Sequence, residues 1–161
     1  MQMEETEAVR AAAALLSRCE AVLLAGAAAD GSPVLWWMEP MRTAPDGMRT
    51  LWFTTRAASH KALCFAQRPA AAVAYGAGGE HAALRGTVTV VTDAAQKEER
   101  WRGERFARCR AAEALPAGQR YCLLRFAVRE GSFTSAAGET VRFAVSSSDS
   151  AQADAQTDAQ K

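Results

Sequence analysis

Short apolar segments separated by tight turns run through most of this chain, and this pattern limits the fold more than any other feature. The segments that we predict to be β-strands are residues 20–29, 33–38, 49–55, 70–75, 81–91 and 121–128, with a last strand around Val141, Phe143 and Val145. Asp30-Gly31 is a strong hairpin signal, and residues 44–47 form a second turn. Strands this short and this close in sequence pair as antiparallel neighbours. The sequence therefore predicts a mostly β fold of the α+β class, an antiparallel barrel of about six to seven strands with flanking helices.

Three helical segments accompany the predicted strands. Residues 6–18 carry apolar side chains at helical spacing, and Ser59–Gln67 forms a second amphipathic helix. Asp93 can cap a third helix, which we expect to reach about residue 112 with an interruption at Gly103. The glycines that we expect to flank the remaining turns are Gly131 and Gly138.

Composition narrows the class of protein. The chain has 161 residues, of which 49% are apolar and 23% charged, as in one globular domain, which we place at residues 1–145. Residues 146–161 are small and polar apart from a final lysine, so we expect a disordered tail there. The net charge of +1 argues against a nucleic-acid partner. Four cysteines without a C-x-x-C pair and only two histidines predict no metal. The acidic start and the lack of 18 consecutive apolar residues predict no signal peptide and no membrane span, hence a cytoplasmic protein.

The segment from Leu51 to Leu63 carries the clearest chemical signal. An apolar strand runs into a turn, and Ser59 then opens a helix with His60 and Lys61 in its first turn. A helix start has unpaired N–H groups and the positive end of the dipole, so it favours anions. A hydroxyl and a lysine at that position suit a phosphate. The alternative from local pattern alone is that Ser59 is only an N-cap and that His60 and Lys61 are solvated.

The order of these elements resembles a known family. The features are a helix, a hairpin at Asp30-Gly31, a strand followed by Pro40-Met41, the run Trp-Phe-x-Thr-x-x-x-Ser-x-Lys, and a later strand with Leu-x-Gly-x-Val-x-Val-Val-x-Asp. Over residues 6–145 the chain resembles the pyridoxamine 5′-phosphate oxidase-like FMN-binding split barrels, and within them the general stress protein group. The resemblance implies a homodimeric split β-barrel that holds FMN in a cleft at the subunit interface.

The resemblance also implies which residues contact the cofactor. Thr54 and Thr55 match a pair at the end of the third strand that contacts the ribityl-phosphate region and the flavin edge. Ser59, His60 and Lys61 match a Ser-Arg-Lys turn that holds the phosphate, with His60 in place of the arginine. A histidine keeps a donor but is charged only in part near neutral pH.

Three further positions bear on the cofactor site. His81 lies where the oxidases place a glutamine near the flavin ring, and its alternative role is that of a surface histidine at a loop edge. Glu39 stands before Pro40-Met41, where the family usually carries an arginine. A carboxylate that faces a phosphate repels it. Either Glu39 turns away, with Arg42 or Arg56 in its place, or FMN binding is weakened; alternatively, Glu39 is a surface residue with no ligand nearby.

The same resemblance also indicates which enzymatic activity is not expected of this chain. The oxidases place a substrate-binding lysine where this chain has Ala44, and nothing after Val145 matches their C-terminal arginine/histidine motif. We therefore expect no true pyridoxamine 5′-phosphate oxidase. The leading interpretation is a flavin-dependent oxidoreductase that acts on an unknown small molecule. The alternatives are a non-catalytic protein that binds FMN, a deazaflavin or haem, and an empty barrel that serves as a dimeric interaction module.

The tryptophans complete the sequence-based predictions. Trp36, Trp37 and Trp52 can form walls of the flavin cleft or of a dimer interface, but we expect at least two of them in the core. We expect Trp101 to be a packing residue on its helix, and Lys97 to lie on a solvated face of that helix.

Overall fold

The computed structural model describes residues 2–42 and 46–145. The helices are α1 (Glu5–Arg18), α2 (His60–Gln67), α3 (Ala94–Arg100) and α4 (Ala107–Ala111). The strands are β1 (Val22–Ala27), β2 (Pro33–Met38), β3 (Thr50–Arg56), β4 (Ala70–Ala77), β5 (Glu80–Val91), β6 (Tyr121–Thr134) and β7 (Thr140–Ala144). Both Ala44 and the polar tail 146–161 fall outside the described residues. No helix within the described part of the chain is long and apolar enough to cross a membrane.

All seven strands belong to one antiparallel sheet. Its order is β2-β1-β4-β5-β6-β3, and β7 pairs with the second half of β6. The backbone N–H of Met41 donates to the carbonyl of Trp52 at 2.8 Å, so the chain that leaves β2 meets β3, the strand at the other end of the order. The sheet is thus curled into a half-closed barrel. This confirms the predicted split barrel of the α+β class with flanking helices.

The main core lies inside the curled sheet. Helix α1 closes it with Ala8, Ala12 and Leu15, which are fully buried because they share one face of the helix. The hydroxyl of Tyr75 donates to the carbonyl of Ala12 at 2.8 Å and ties this helix to β4. Helix α2 contributes Phe65, which meets the edge of Trp36 with ring centroids 5.6 Å apart.

A second, smaller core lies on the outer face of β3 and β6. Helices α3 and α4 cover it, and its buried members are Met41, Trp52, Val91, Trp101, Cys109 and Leu123. Asp93 caps α3 by accepting from the N–H of Gln96 at 3.0 Å, as predicted. Gly103, at a φ of 96°, interrupts the helical region where the sequence predicted a break.

Two local predictions are wrong. Gly131 lies inside β6 rather than at a turn, because β6 continues to Thr134 and pairs there with β5 and β7. A Cβ on Gly131 would stand 2.7 Å from side-chain atoms of Leu84 and Phe143, so glycine is needed for packing. Lys97 is 4% exposed rather than solvated. Its Nζ donates to Glu113 Oε1 at 2.7 Å, and this ion pair offsets the cost of burying the charge.

Candidate functional site

The candidate site lies where β3 ends and α2 begins. Ser59 is extended (φ −66°, ψ 152°), and its Oγ accepts from the N–H of Ala62 at 3.2 Å, so it caps α2 as the sequence predicted. Thr55 Oγ1 donates to Ser59 Oγ at 3.3 Å. Lys61 Nζ donates to Thr55 Oγ1 at 3.4 Å. Three of the predicted residues therefore form one connected group, the Thr55–Ser59–Lys61 cluster.

The cluster is rich in donors and positive in charge. Lys61 is half-buried, and within the described residues no carboxylate lies at ion-pair distance from its ammonium group. Two of its three N–H donors and the hydroxyl hydrogen of Ser59 have no acceptor in that part of the chain. The positive end of the α2 dipole points at the same place. Such an arrangement can hold a phosphate through charge-assisted hydrogen bonds.

A buried thiol lies beside the cluster. Cys122 is opposite Thr55 in the β3–β6 register and has no exposed surface. Burial raises the pKa of the Cys122 thiol to about 11, although the positive charges of Lys97 and Lys61 act against this rise. At neutral pH the thiol is therefore protonated, and it is not a nucleophile at this site.

Thr54 faces away from Thr55, because successive side chains of a strand point to opposite faces. Thr54 Oγ1 accepts from Trp101 Nε1 at 3.0 Å and donates to Met41 Sδ at 3.3 Å. Its hydroxyl therefore makes both of these hydrogen bonds within the second core, and its one hydrogen is already donated. The sequence missed this role of Trp101, whose burial (1% exposed) agrees with the predicted packing. Contact of Thr54 with a cofactor remains a prediction.

His60 does not join the cluster through its ring. Its Nε2 lies 3.5 Å from Cys64 Sγ, one turn further along α2, and the ring meets the edge of Trp36 at 6.1 Å between centroids. The backbone N–H of His60 still belongs to the first turn of α2. Its side chain as a phosphate donor remains a prediction.

Glu39 is paired with a residue that the sequence did not single out. Its Oε1 lies 2.5 Å from Nη2 of Arg105, and both side chains are exposed. Arg42 cannot substitute for the family's arginine in this geometry, because its guanidinium donates to the carbonyls of Leu16 and Cys19. Arg56 lies over the ring of Tyr121 at 5.2 Å. The carboxylate of Glu39, which the sequence predicted could repel a phosphate, is thus paired with a cation.

Pro40 and Met41 follow Glu39 and are buried. Met41 packs in the second core, next to the hydroxyl of Thr54. The two residues thereby position the chain after β2 against β3, and their contact with a cofactor remains a prediction.

His81 lies far from the cluster within one chain. It is exposed on β5, opposite Gly76 on β4 and Thr134 on β6. Val91, at the other end of β5, pairs with β6 next to Cys122, and the ten intervening steps span about 33 Å of extended strand. A chain therefore does not bring its own His81 to its own Thr55–Ser59–Lys61 cluster.

The tryptophans divide as expected. Trp52 is buried and Trp36 packs against the main core, so the prediction of two core tryptophans is confirmed. Trp37 is 72% exposed. Among residues 2–42 and 46–145, no group of three or more His, Cys, Asp or Glu could hold a metal ion.

Comparisons with known proteins agree with this architecture. The family model described as pyridoxamine 5′-phosphate oxidase matches residues 8–135. A Clostridium acetobutylicum protein related to general stress protein 26 of B. subtilis superposes with a TM-score of 0.72 at 16% identity, over 89% of this chain and 97% of that chain. A pyridoxamine 5′-phosphate oxidase-related, FMN binding protein from Nostoc punctiforme gives a TM-score of 0.61 at 18% identity, over 83% and 85%. General Stress Protein 26 from Bacillus anthracis gives 0.59 at 14%, over 83% and 97%. No curated protein matches the chain significantly.

Proposed function

Because this chain belongs to the pyridoxamine 5′-phosphate oxidase family, we propose that it is an FMN-binding protein of the general stress type. The observation that carries the proposal is the half-buried Lys61, whose only hydrogen-bond partner in the described chain is the hydroxyl of Thr55. The ammonium group of Lys61 has no counter-ion among the described residues, and a phosphate would supply one. The Nostoc punctiforme relative, described as FMN binding, supports the same cofactor.

Each residue of the cluster has a definite task in this proposal. Lys61 supplies the full positive charge for the phosphate, and Ser59 donates its free hydroxyl hydrogen while its oxygen caps α2. Thr55 holds both of them in place by accepting from Lys61 and donating to Ser59. When bound, FMN supplies the redox chemistry, and the protein supplies binding and orientation. We assign no catalytic residue.

We further propose that a second copy of the chain covers the outer face of the sheet. Cross-strand partners share a face, and on this outer face they are mostly apolar and small. Its members are Leu35 and Trp37 on β2, Leu23 and Ala25 on β1, Ala72 and Ala74 on β4, and Ala83 on β5. An exposed apolar face of this kind usually marks an interface. In such a homodimer His81 would serve the cofactor of the other copy rather than its own.

Titration of apo-protein with FMN tests the proposal. Flavin fluorescence should be quenched with a dissociation constant in the micromolar range or below. Lys61→Ala should raise that constant about ten-fold or more, because a charge-assisted bond contributes about 1.5–3 kcal/mol. Arg108→Ala is the control, since Arg108 is exposed on α4, in the helical cover of the second core.

Two results would contradict the proposal. One is the absence of quenching at about 100 µM FMN. The other is an equal affinity of the Lys61→Ala and Arg108→Ala variants, which would place the phosphate elsewhere.

A more specific version of this function is a flavin-dependent oxidoreductase that acts on a small molecule. The second candidate is a non-catalytic protein that binds FMN or another cofactor. The orientation of His60 favours the second candidate, because this imidazole, which lies next to the cluster of its own chain, faces Cys64 and not the phosphate site. Anaerobic mixing of the loaded protein with NAD(P)H separates the two: bleaching of the flavin absorbance supports the oxidoreductase, and a persistent oxidised spectrum supports the binding protein.

A further inference from the structure

An open cavity of about 270 Å³ lies on the outer face of the sheet, away from the Thr55–Ser59–Lys61 cluster. Its lining residues are Ala83, Arg85, Glu130, Gly131, Ser132, Arg142 and Phe143. Glu130 is eight residues along β6 from Cys122, which corresponds to about 26 Å of extended strand. The cavity is therefore separate from the Thr55–Ser59–Lys61 cluster of the same chain.

Strand register explains why these side chains meet. Ser132 lies between Ala83 on β5 and Arg142 on β7, and Arg85 lies opposite Glu130 in the next row of the same face. Rows two residues apart are separated by about 7 Å. The small side chain of Ala83 leaves the space open, and the longer side chains of Arg85 and Arg142 flank it.

The backbone beside the cavity is irregular. The pairing of β5 with β6 shifts after Arg85, and Arg129 is the extra residue on β6. A Cβ on Gly86 would stand 1.9 Å from the carbonyl oxygen of Ala127, so only glycine permits this approach of the strands. β-Bulges re-aim neighbouring side chains and often occur beside binding sites.

The charges of the cavity do not cancel. Arg85 Nη1 pairs with Glu130 Oε1 at 2.9 Å, which neutralises the one carboxylate in the lining. Arg142 has no carboxylate at ion-pair distance in residues 2–42 and 46–145. One guanidinium and the hydroxyl of Ser132 are thus left to face a ligand. The planar fork of a guanidinium matches the oxygens of a carboxylate or a phosphate.

We propose that this cavity binds a small organic anion, whose carboxylate or phosphate group is held by Arg142 and Ser132. The Arg85–Glu130 pair forms one wall and limits the net charge to a single positive unit. A small anion therefore fits the cavity better than a polyanion does. Ala83 belongs both to this cavity and to the apolar face assigned above to a second copy, so the bound anion would lie at the edge of that interface.

Amide NMR titration of the apo-protein tests the inference with inorganic phosphate and with succinate as separate probes. We expect saturable shifts at the amides of Gly131 and Ser132, and the probe that binds identifies the anionic group. Arg142→Ala should weaken the binding about ten-fold, and Arg142→Gln should do the same if the alanine variant is unstable. Glu130→Gln should strengthen it, because it releases Arg85 from its ion pair.

Matched controls separate a site from general electrostatics. Arg108→Ala and Glu98→Gln change the same charges at exposed positions elsewhere and should leave the affinity unchanged. Lys61→Ala should also leave the shifts at Ser132 unchanged, whatever its effect on FMN. The inference is overturned if neither probe shifts these amides at about 50 mM, if the shifts do not saturate, or if the controls alter them as much as Arg142→Ala does.

Discussion

At the scale of the residue, the ion pair with Arg105 changes the effect that we expect from having Glu39 where the family usually carries an arginine. Its carboxylate is paired with Arg105, so we expect Glu39→Gln to change the FMN affinity less than two-fold, in keeping with the small contribution of exposed ion pairs. Arg105→Ala should lower the FMN affinity more, because the unpaired carboxylate could then repel a phosphate at the proposed site. The second pKa of a phosphate monoester is about 6, so the repulsion weakens as the pH falls and the affinity of this variant should rise from pH 8 to pH 6. Fluorescence titrations at several pH values measure both variants. Tighter binding by Glu39→Gln at pH 8 would show that the pair with Arg105 does not shield the site.

At the scale of the element, the β3–β6 pair carries a buried thiol that makes stability depend on alkaline pH. Burial raises the pKa of Cys122 from 9.0 to about 11. The stabilisation is complete below pH 9, where the thiol keeps its proton in both states. Between pH 9 and 11 only the unfolded thiol loses its proton, so the free energy of unfolding should fall, by at most about 3 kcal/mol. Burial also raises the pKa of Tyr75, so the fall should continue above pH 10.

Urea unfolding of Cys122→Ala should show a smaller loss of unfolding free energy between pH 9 and 11, whereas Val128→Ala on the same strand should keep the loss of the parent. Equal pH dependence in both variants would mean that other groups cause it.

At the scale of the whole molecule, the outer face of the sheet is where we propose that two copies of the chain meet. Trp37 and Leu35 are 72% and 63% exposed, and the alanines of β1, β4 and β5 extend the same apolar face. We expect light scattering to give about twice the chain mass of 17.2 kDa. Trp37→Glu should produce the monomer, because a carboxylate would be desolvated in the proposed interface. Leu115→Glu, an exposed leucine outside the sheet, is the control and should leave the dimer intact. A monomeric parent at tens of micromolar, with FMN present, would contradict this assembly.

The sequence by itself determined the features that depend on near neighbours. Ser59 and Asp93 cap their helices because an N-cap bond spans only three residues. Residues 81–91 form most of β5, and side chains of higher and lower burial mostly alternate along it, since the side-chain period of a strand is local. The turns at Gly31 and Gly138 follow from the ability of glycine to take positive φ. These local features, in their order along the chain, were sufficient for an antiparallel barrel with flanking helices, and the split form of the barrel was implied by the family resemblance.

Only the tertiary structure decided which distant side chains meet. Lys97 is buried and paired with Glu113, and Glu39 is paired with Arg105. Both pairs form because α3, α4 and the segment between them fold back over the outer face of β3 and β6. Thr54 lies on this outer face and therefore points away from Thr55. The length of β5 separates His81 from both residues. Charge partners and facing residues across a sheet depend on where whole elements pack, and no spacing within one element encodes that position.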